Sequence, residues 1–141
     1  KSLTRLLKDN SADVTIGSRF IDKNDSTGFK STRTRRLGLR ILRFTLSILT
    51  GKYINDVTSG FRAYNRRAIS LVARHYPTDF PEPEALVFFK KAGLSVMEVP
   101  VTMYERQSGT SSIKGLKSIY YILKVLVAVF IYSLRPKKYY L

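Results

Sequence analysis

The sequence contains no cysteine, no tryptophan and a single histidine among its 141 residues. Disulfide bonds and thiolate metal sites are therefore excluded, as is any site built from several imidazoles. Acidic residues are also scarce, because 10 Asp and Glu stand against 25 Lys and Arg, a formal net charge of +15. Such an excess predicts an anionic partner, which is a nucleic acid, an anionic membrane surface or a phosphate-bearing ligand.

The alternation of strand and helix patterns predicts α/β architecture. Strands are predicted near residues 13–20, 60–64 and 94–101, and helices over 33–50, from Asn65 to about 73, from Pro83 to about 92 and over 113–134. Three strands are few for an α/β sheet, so the chain is expected to form part of a larger sheet.

The helix predicted over residues 33–50 is amphipathic and strongly basic. One side carries Leu37, Ile41, Phe44 and Ile48, and another carries Arg36, Arg40 and Arg43. No acidic residue occurs from Ser26 to Asn55. The basic run either binds phosphate or a membrane surface, or is a solvated face. Nucleic acid is a weaker interpretation, because aromatic residues are not interleaved with the arginines.

The last predicted helix decides whether a membrane is involved. Its apolar stretch from Ile119 to Leu134 is interrupted by Lys124 and is shorter than the roughly 20 residues that span a bilayer. Basic residues flank the stretch on both sides, and no acid follows Glu105. The helix is therefore expected to lie in an anionic membrane interface. The alternatives are a core helix or a seam between copies, which leaves a homo-oligomer open.

The segment from Asp56 to Arg62 carries the densest polar chemistry. A carboxylate, the hydroxyls of Thr58 and Ser59 and a guanidinium crowd around Gly60, a residue without the steric penalty of a Cβ. A turn that only reverses the chain does not need these groups. The segment is thus predicted to bind a polar, phosphorylated ligand.

A second polar segment begins at Arg106 and ends at a predicted helix start. It combines this guanidinium with Gly109 and the hydroxyls of Ser111 and Ser112. Backbone N–H groups, the helix dipole and the arginine all favour an anion there. The alternative is a plain helix-capping loop.

Arg19 directly follows the first predicted strand. Open α/β sheets present side chains to ligands at the carboxyl ends of their strands, and a planar guanidinium suits phosphate oxygens. The alternative is a surface arginine.

Glu82 and Glu84 flank Pro83 at a helix start. Either carboxylate could act as a general base or hold a cation, and the alternative is stabilisation of the helix N-terminus.

Five segments, in this order, resemble the family 2 glycosyltransferases: Gly17–Phe20, Asp56–Tyr64, Pro81–Glu84, Glu98–Val101 and Arg106–Ser112. The similarity is greatest to the dolichol-phosphate mannosyltransferase-like and bacterial polyprenyl-phosphate sugar transferase branch. It implies a GT-A-type, Rossmann-like domain that transfers a sugar with inversion from a nucleotide-diphosphate sugar to a lipid phosphate. It also implies peripheral attachment at the cytoplasmic face of the cell membrane, in the synthesis of cell-envelope polysaccharides. The rival hypothesis is a non-catalytic basic module that binds anionic membrane or nucleic acid.

The resemblance also implies roles for individual residues. Arg19 and either Arg33 or Arg36 would contact the acceptor phosphate. Asp56 would line the sugar and acceptor pocket, and Glu84 takes roughly the place of the catalytic base of other members.

On the donor side, the resemblance implies that Arg106 and Ser111 or Ser112 clamp the diphosphate. The Asp-x-Asp that holds a divalent cation, Mg²⁺ or Mn²⁺, in this family does not occur in the sequence. The chain is therefore expected to be the C-terminal portion of such an enzyme, inactive in isolation. Residues 1–112 would belong to the catalytic domain and 113–141 to a membrane-interfacial helix and basic tail.

Overall fold

The computed structural model of the chain describes residues 3–21, 33–102 and 116–136. In chain order its elements are α1 (Arg5–Lys8), β1 (Val14–Ser18), α2 (Arg33–Thr50), β2 (Arg62–Tyr64), α3 (Arg66–His75), α4 (Pro81–Lys91), β3 (Val96–Pro100) and α5 (Leu116–Leu134). Helices pack against a small mixed sheet, which confirms the predicted α/β class at this level. α4 begins two residues earlier than predicted, because the first turn of a helix accommodates proline without loss of a hydrogen bond.

The central strand of the three-stranded sheet is β1, with β2 and β3 on either side. β3 runs parallel to β1, with Ser18 opposite Pro100, and β2 runs antiparallel, with Ile16 opposite Arg62. Parallel neighbours end at the same edge of a sheet, and an antiparallel strand begins there. The sheet therefore gathers Arg19, the chain that leaves β3 and the loop that enters β2 at one edge.

At the opposite edge, Asp13 connects the three strands. Its carboxylate accepts hydrogen bonds from Asn65 Nδ2 at 2.8 Å, Ser95 N at 2.7 Å and Ser95 Oγ at 2.9 Å. Asn65 in turn caps α3, since its Oδ1 accepts from Ala68 N at 2.8 Å. Asn65, the predicted start of this helix, is thus its N-cap, and Asp13 belongs to the scaffold.

The core lies between the sheet and helices α2, α4 and α5. β1 is buried along its whole length, as is typical of a strand covered on both faces. Consecutive residues of α4 are buried from Pro83 to Phe89. α2 packs inward through Leu42 and Leu46.

The side of α2 that the sequence singled out as apolar faces away from this core. The exposed fractions are 59% for Leu37, 45% for Ile41, 67% for Phe44 and 66% for Ile48. Apolar residues occur at helical spacing on two sides of α2, so periodicity could not decide which side is buried.

α5 is likewise apolar on two sides. Val125, Val129 and Tyr132 are buried in the core, while its outward side exposes Tyr120, Leu123, Val127, Phe130, Ile131 and Leu134. The predicted start of this helix, near residue 113, lies outside the described residues. Among the helices that the structure describes, none has the length and apolar character needed to cross a bilayer.

α2 and α5 approach each other closely where Gly38 meets Ile122. A Cβ built on Gly38 would lie only 1.8 Å from Ile122 Cδ1. The lack of a side chain at position 38 therefore sets the separation of the two helices.

Gly38→Ala is expected to lower the free energy of unfolding by about 1 kcal/mol, since overpacking costs about 1–3 kcal/mol and the helix propensity of Ala returns part of it. Urea denaturation would measure the change. Ile122→Val removes Cδ1 and, in the Gly38→Ala background, should recover most of the loss. A double variant as unstable as Gly38→Ala alone would contradict this packing.

Candidate functional site

A bidentate ion pair between Arg19 and Asp56 lies at the sheet edge where β1 and β3 end. Arg19 Nε donates to Asp56 Oδ2 at 2.7 Å, Nη2 donates to Oδ1 at 2.8 Å, and the Arg19 backbone N–H donates to Oδ2 at 3.2 Å. The Asp56 side chain is 0% exposed and the Arg19 side chain 24%. Hydrogen bonds to Asp56 raise the pKa of Arg19, although burial opposes them. Arg19 is therefore a cation in a fixed orientation.

Glu98 of β3 holds the loop that carries Asp56. Glu98 Oε1 accepts from Asp56 N at 2.8 Å, and Oε2 accepts from Asn55 N at 2.8 Å and Asn55 Nδ2 at 3.0 Å. No separate role was predicted for Glu98. The signal that could have found it is a single acid within an otherwise apolar strand.

The loop from Asp56 to Phe61 lies directly on the backbone of β1. Ser59 Oγ donates to Gly17 O at 2.7 Å, and Gly17 N donates to Phe61 O at 2.8 Å. A Cβ on Gly17 would lie 2.6 Å from Phe61 Cδ1. Ser59 is thus a loop anchor in the structure, whereas its predicted contact with a substrate stays a prediction.

Arg62 connects this loop to the start of α4. Its Nε donates to Ser59 O at 2.9 Å and its Nη2 to Glu82 O at 2.7 Å. The guanidinium carbon also lies 5.7 Å from the centroid of the Phe89 ring. Arg62 therefore lies close to the other predicted residues, with much of its guanidinium engaged by the scaffold.

A second guanidinium, that of Arg43 on α2, lies near Arg19. Arg43 Cζ is 4.6 Å from the centroid of the Phe20 ring, and Arg19 Cζ is 5.3 Å from the same centroid. Arg43 Nε is buried and has no hydrogen-bond partner in the part of the chain that the structure describes. Both guanidinium groups thus lie beside the Phe20 ring, and an anion there would be stabilised by their charge and would satisfy the buried Nε of Arg43.

The arginines preferred from the resemblance lie elsewhere on α2. Arg36 is exposed near the start of the helix, and the Arg33 side chain lies outside the described residues. Arg43 was predicted only as a member of the basic run. Arg36 and Arg43 are seven residues apart and therefore share one side of α2, so their position along the helix decides which of them lies beside Phe20.

The second predicted polar segment, with Arg106, Gly109, Ser111 and Ser112, lies outside the described residues. The predicted roles of these residues stay predictions. β3 ends at Pro100 opposite Ser18, so the chain leaves β3 at the edge that holds Arg19.

Glu84 lies in the wall of a different feature, a groove of about 1290 Å³ between the α3–α4 connection and α5. It is only 4% exposed, and burial raises the pKa of Glu84. A hydrogen bond from the Phe80 backbone opposes this effect, and the charges of Asp79, which raises the pKa, and of Arg135, which lowers it, contribute less. Of the two glutamates, Glu82 is the one beside the Asp56–Arg62 segment. Its Oε1 lies 3.6 Å from the position that a Cβ on Gly60 would take. The catalytic role of Glu84 stays a prediction.

Acidic and imidazole groups do not gather into a metal site within the described residues. No set of three or more His, Asp or Glu side chains there could hold a metal ion. The described residues therefore do not fit the divalent cation that the resemblance implies.

Three known proteins of similar sequence have dolichyl or polyprenol in their names. The chain is 32% identical over 122 residues to the UDP-N-acetylglucosamine–dolichyl-phosphate N-acetylglucosaminyltransferase of Methanococcus voltae, covering 80% of this chain and 47% of that protein. It is 32% identical over 124 residues to the polyprenol monophosphomannose synthase of Mycolicibacterium smegmatis, covering 82% and 44%. The chain is a relative of the dolichyl- and polyprenol-phosphate glycosyltransferases.

This sequence similarity confirms the resemblance inferred from the five segments. A dolichyl-phosphate beta-glucosyltransferase of Trichomonas vaginalis is also similar, at 29% identity over 119 residues, with coverage of 82% of this chain and 35% of the enzyme. No protein-family model matches the chain. The chain spans less than half the length of these three glycosyltransferases.

The raised pKa of Glu84 predicts a pH-dependent stability. The folded state favours the neutral carboxyl, so its contribution is fully present below the ordinary pKa of 4.5 and is lost as the pH rises through the folded-state value. Glu84→Gln should therefore gain stability relative to the natural protein with rising pH. Urea denaturation at several pH values would measure the difference, with Glu82→Gln as control. A difference for Glu84→Gln that does not change with pH would refute the prediction.

Proposed function

We propose that the protein to which this chain belongs transfers a sugar, with inversion, from a nucleotide-diphosphate sugar to a polyprenyl phosphate. In this proposal the chain forms the acceptor side of a GT-A-type catalytic domain of family 2. The observation that carries it is the Arg19–Asp56 pair at the carboxyl edge of parallel strands, in a chain whose relatives are named for dolichyl or polyprenol phosphate. Open α/β sheets bind ligands at such edges.

The chemistry of the acceptor agrees with this geometry. A lipid phosphate is already an anion at neutral pH, so its oxygen can attack the anomeric carbon without a strong general base. The nucleoside diphosphate then leaves with the electrons of the broken bond. What the protein must supply is orientation and stabilisation of charge. Arg19, held by Asp56, supplies orientation, and Arg43 supplies a further donor beside Phe20.

The remaining predicted residues enter the proposal as expectations for the intact protein. Arg33 or Arg36 would add positive charge near the acceptor, and Arg106 with Ser111 or Ser112 would clamp the donor diphosphate. A divalent cation would need ligands outside the described residues, so we assign no step to it.

Arg19→Ala in the intact protein is expected to lower kcat/KM for polyprenyl phosphate by about 100-fold or more, because an oriented charge at the reacting centre is lost. Arg43→Gln should have a smaller effect, about tenfold, as expected for one charge-assisted hydrogen bond. Sugar transfer from a radiolabelled nucleotide sugar to polyprenyl phosphate would measure both.

Arg74→Ala is the matched control, since Arg74 is an exposed arginine on α3, away from this edge. It should leave transfer unchanged. Near-normal transfer by Arg19→Ala would remove the proposed mechanism, and intact natural protein without sugar transfer would favour the non-catalytic basic module.

We also propose that α2 and α5 attach the protein peripherally to the cytoplasmic face of an anionic membrane. Both helices expose large apolar side chains, with more than half of the surface of Phe44 and Phe130 in solvent. Exposed cations accompany them, namely Arg36 and Arg40 on α2 and Lys124 on α5. An amphipathic helix with this combination binds at the headgroup boundary of anionic lipid.

Phe44→Glu should weaken binding of the intact protein to vesicles of phosphatidylglycerol and phosphatidylcholine by about tenfold, since it removes buried apolar area and adds a repelled charge. Cosedimentation would measure binding, which added salt should also reduce. Ile69→Glu is the control, because Ile69 on α3 is 54% exposed on another helix.

Equal losses in both variants would count against a specific membrane face, and salt-insensitive binding would favour insertion. Loss of self-association in Phe44→Glu, without any change in vesicle binding, would favour a homo-oligomer seam.

A further inference from the structure

We infer that Glu98 is a positioning residue: its carboxylate sets the place of Asp56, and Asp56 in turn fixes the direction of Arg19. This inference rests on the proposed function, in which Arg19 binds the acceptor phosphate. Glu98 has no assigned role in the sequence pattern. Its side chain binds the loop that carries Asp56, which distinguishes it from an ordinary residue of the sheet.

The carboxylate of Glu98 binds the loop through two consecutive backbone N–H groups. Asn55 N and Asp56 N each donate to a different oxygen of Glu98, both at 2.8 Å, and Asn55 Nδ2 adds a third bond at 3.0 Å. Asp56 is 1% exposed, so its N–H would lose its partner inside the protein if Glu98 could not accept. The position of the Asp56 backbone therefore depends on this carboxylate.

The same strand pairing places Glu98 and Arg19. Glu98 stands opposite Ile16 in the parallel ladder between β1 and β3, and β1 ends at Ser18, directly before Arg19. Glu98 thus holds the Asp56 loop at a fixed distance from the end of β1. Arg19 meets the carboxylate of Asp56 across that distance.

The two carboxylates do not compete for the same donors. Glu98 accepts from the backbone and the amide of Asn55, while Asp56 accepts from the guanidinium and backbone of Arg19. A bidentate pair needs both of its contacts, here 2.7 Å and 2.8 Å, at once. A small displacement of the Asp56 backbone would therefore break the fork and release Arg19 from its orientation.

Glu98→Gln in the intact protein tests this chain of contacts. The amide nitrogen cannot accept, so one of the two backbone bonds is lost with little change in volume. We expect hydrogen exchange at Arg19 Nε–H, followed by ¹⁵N NMR, to become about tenfold faster or more, in line with the loss of one buried hydrogen bond. Exchange at the Asn55 and Asp56 amides should rise with it, while amides of α3 should not change.

Kinetics supply a second measurement. KM for polyprenyl phosphate should rise about tenfold, the cost of one misplaced charge-assisted bond, with a smaller change in kcat. In an Asp56→Asn background, Glu98→Gln should add little, because both act through Arg19. Asp9→Asn removes an exposed carboxylate from the C-terminal end of α1 and serves as the charge-matched control. It should change neither quantity.

A uniform increase of exchange over the whole protein, or an unchanged Arg19 Nε–H signal, would overturn the inference. Full additivity of Glu98→Gln and Asp56→Asn would do the same. If Glu98→Gln does not fold, Asn55→Ala removes only the Nδ2 bond and should show a weaker form of the same selective exchange. If the intact protein exchanges as expected but transfers no sugar, the proposed function fails while the positioning role of Glu98 stands.

Discussion

A buried carboxylate is the constraint on which the candidate site depends. The Asp56 side chain has no exposed surface, and a charge in that position is stable only with close, well-oriented partners. The end of β1 supplies them through Arg19, and β3 holds the surrounding backbone through Glu98. The geometry of the site therefore depends on the pairing of β1 with β3, because these neighbouring strands carry the partners of Asp56.

The fold was predictable where it depends on local sequence. The bounds of α2, Arg33–Thr50, follow from helical periodicity. The start of α3 follows from Asn65, whose side chain caps the helix. The rotation of α2 was not predictable, because Leu42 and Leu46 on one side and Phe44 and Ile48 on another give similar patterns. Only the packing of α2 against α4 and α5 determines which side is buried.

The candidate site divides in the same way. Arg19 and Asp56 could be found because guanidinium, carboxylate and hydroxyl groups follow or precede strands, at the edge where ligands bind. The contacts of Glu98 and Arg43 could not be predicted, since those of Glu98 depend on the register between β1 and β3 and those of Arg43 on which turn of α2 lies beside Phe20. Residue types in the sequence thus indicate that a site exists, whereas contacts between distant parts of the chain determine which residues form it.

Gly17 gives the site a further property. The loop rests on main-chain atoms of β1, and Phe61 and Val101 occupy the space into which any side chain at position 17 would grow. An added methyl group would lie 2.6 Å from the Phe61 ring and 3.1 Å from Val101, so both side chains would have to shift. Position 17 and position 61 are therefore coupled: the ring of Phe61, which is 53% exposed, can lie against β1 only while residue 17 has no side chain.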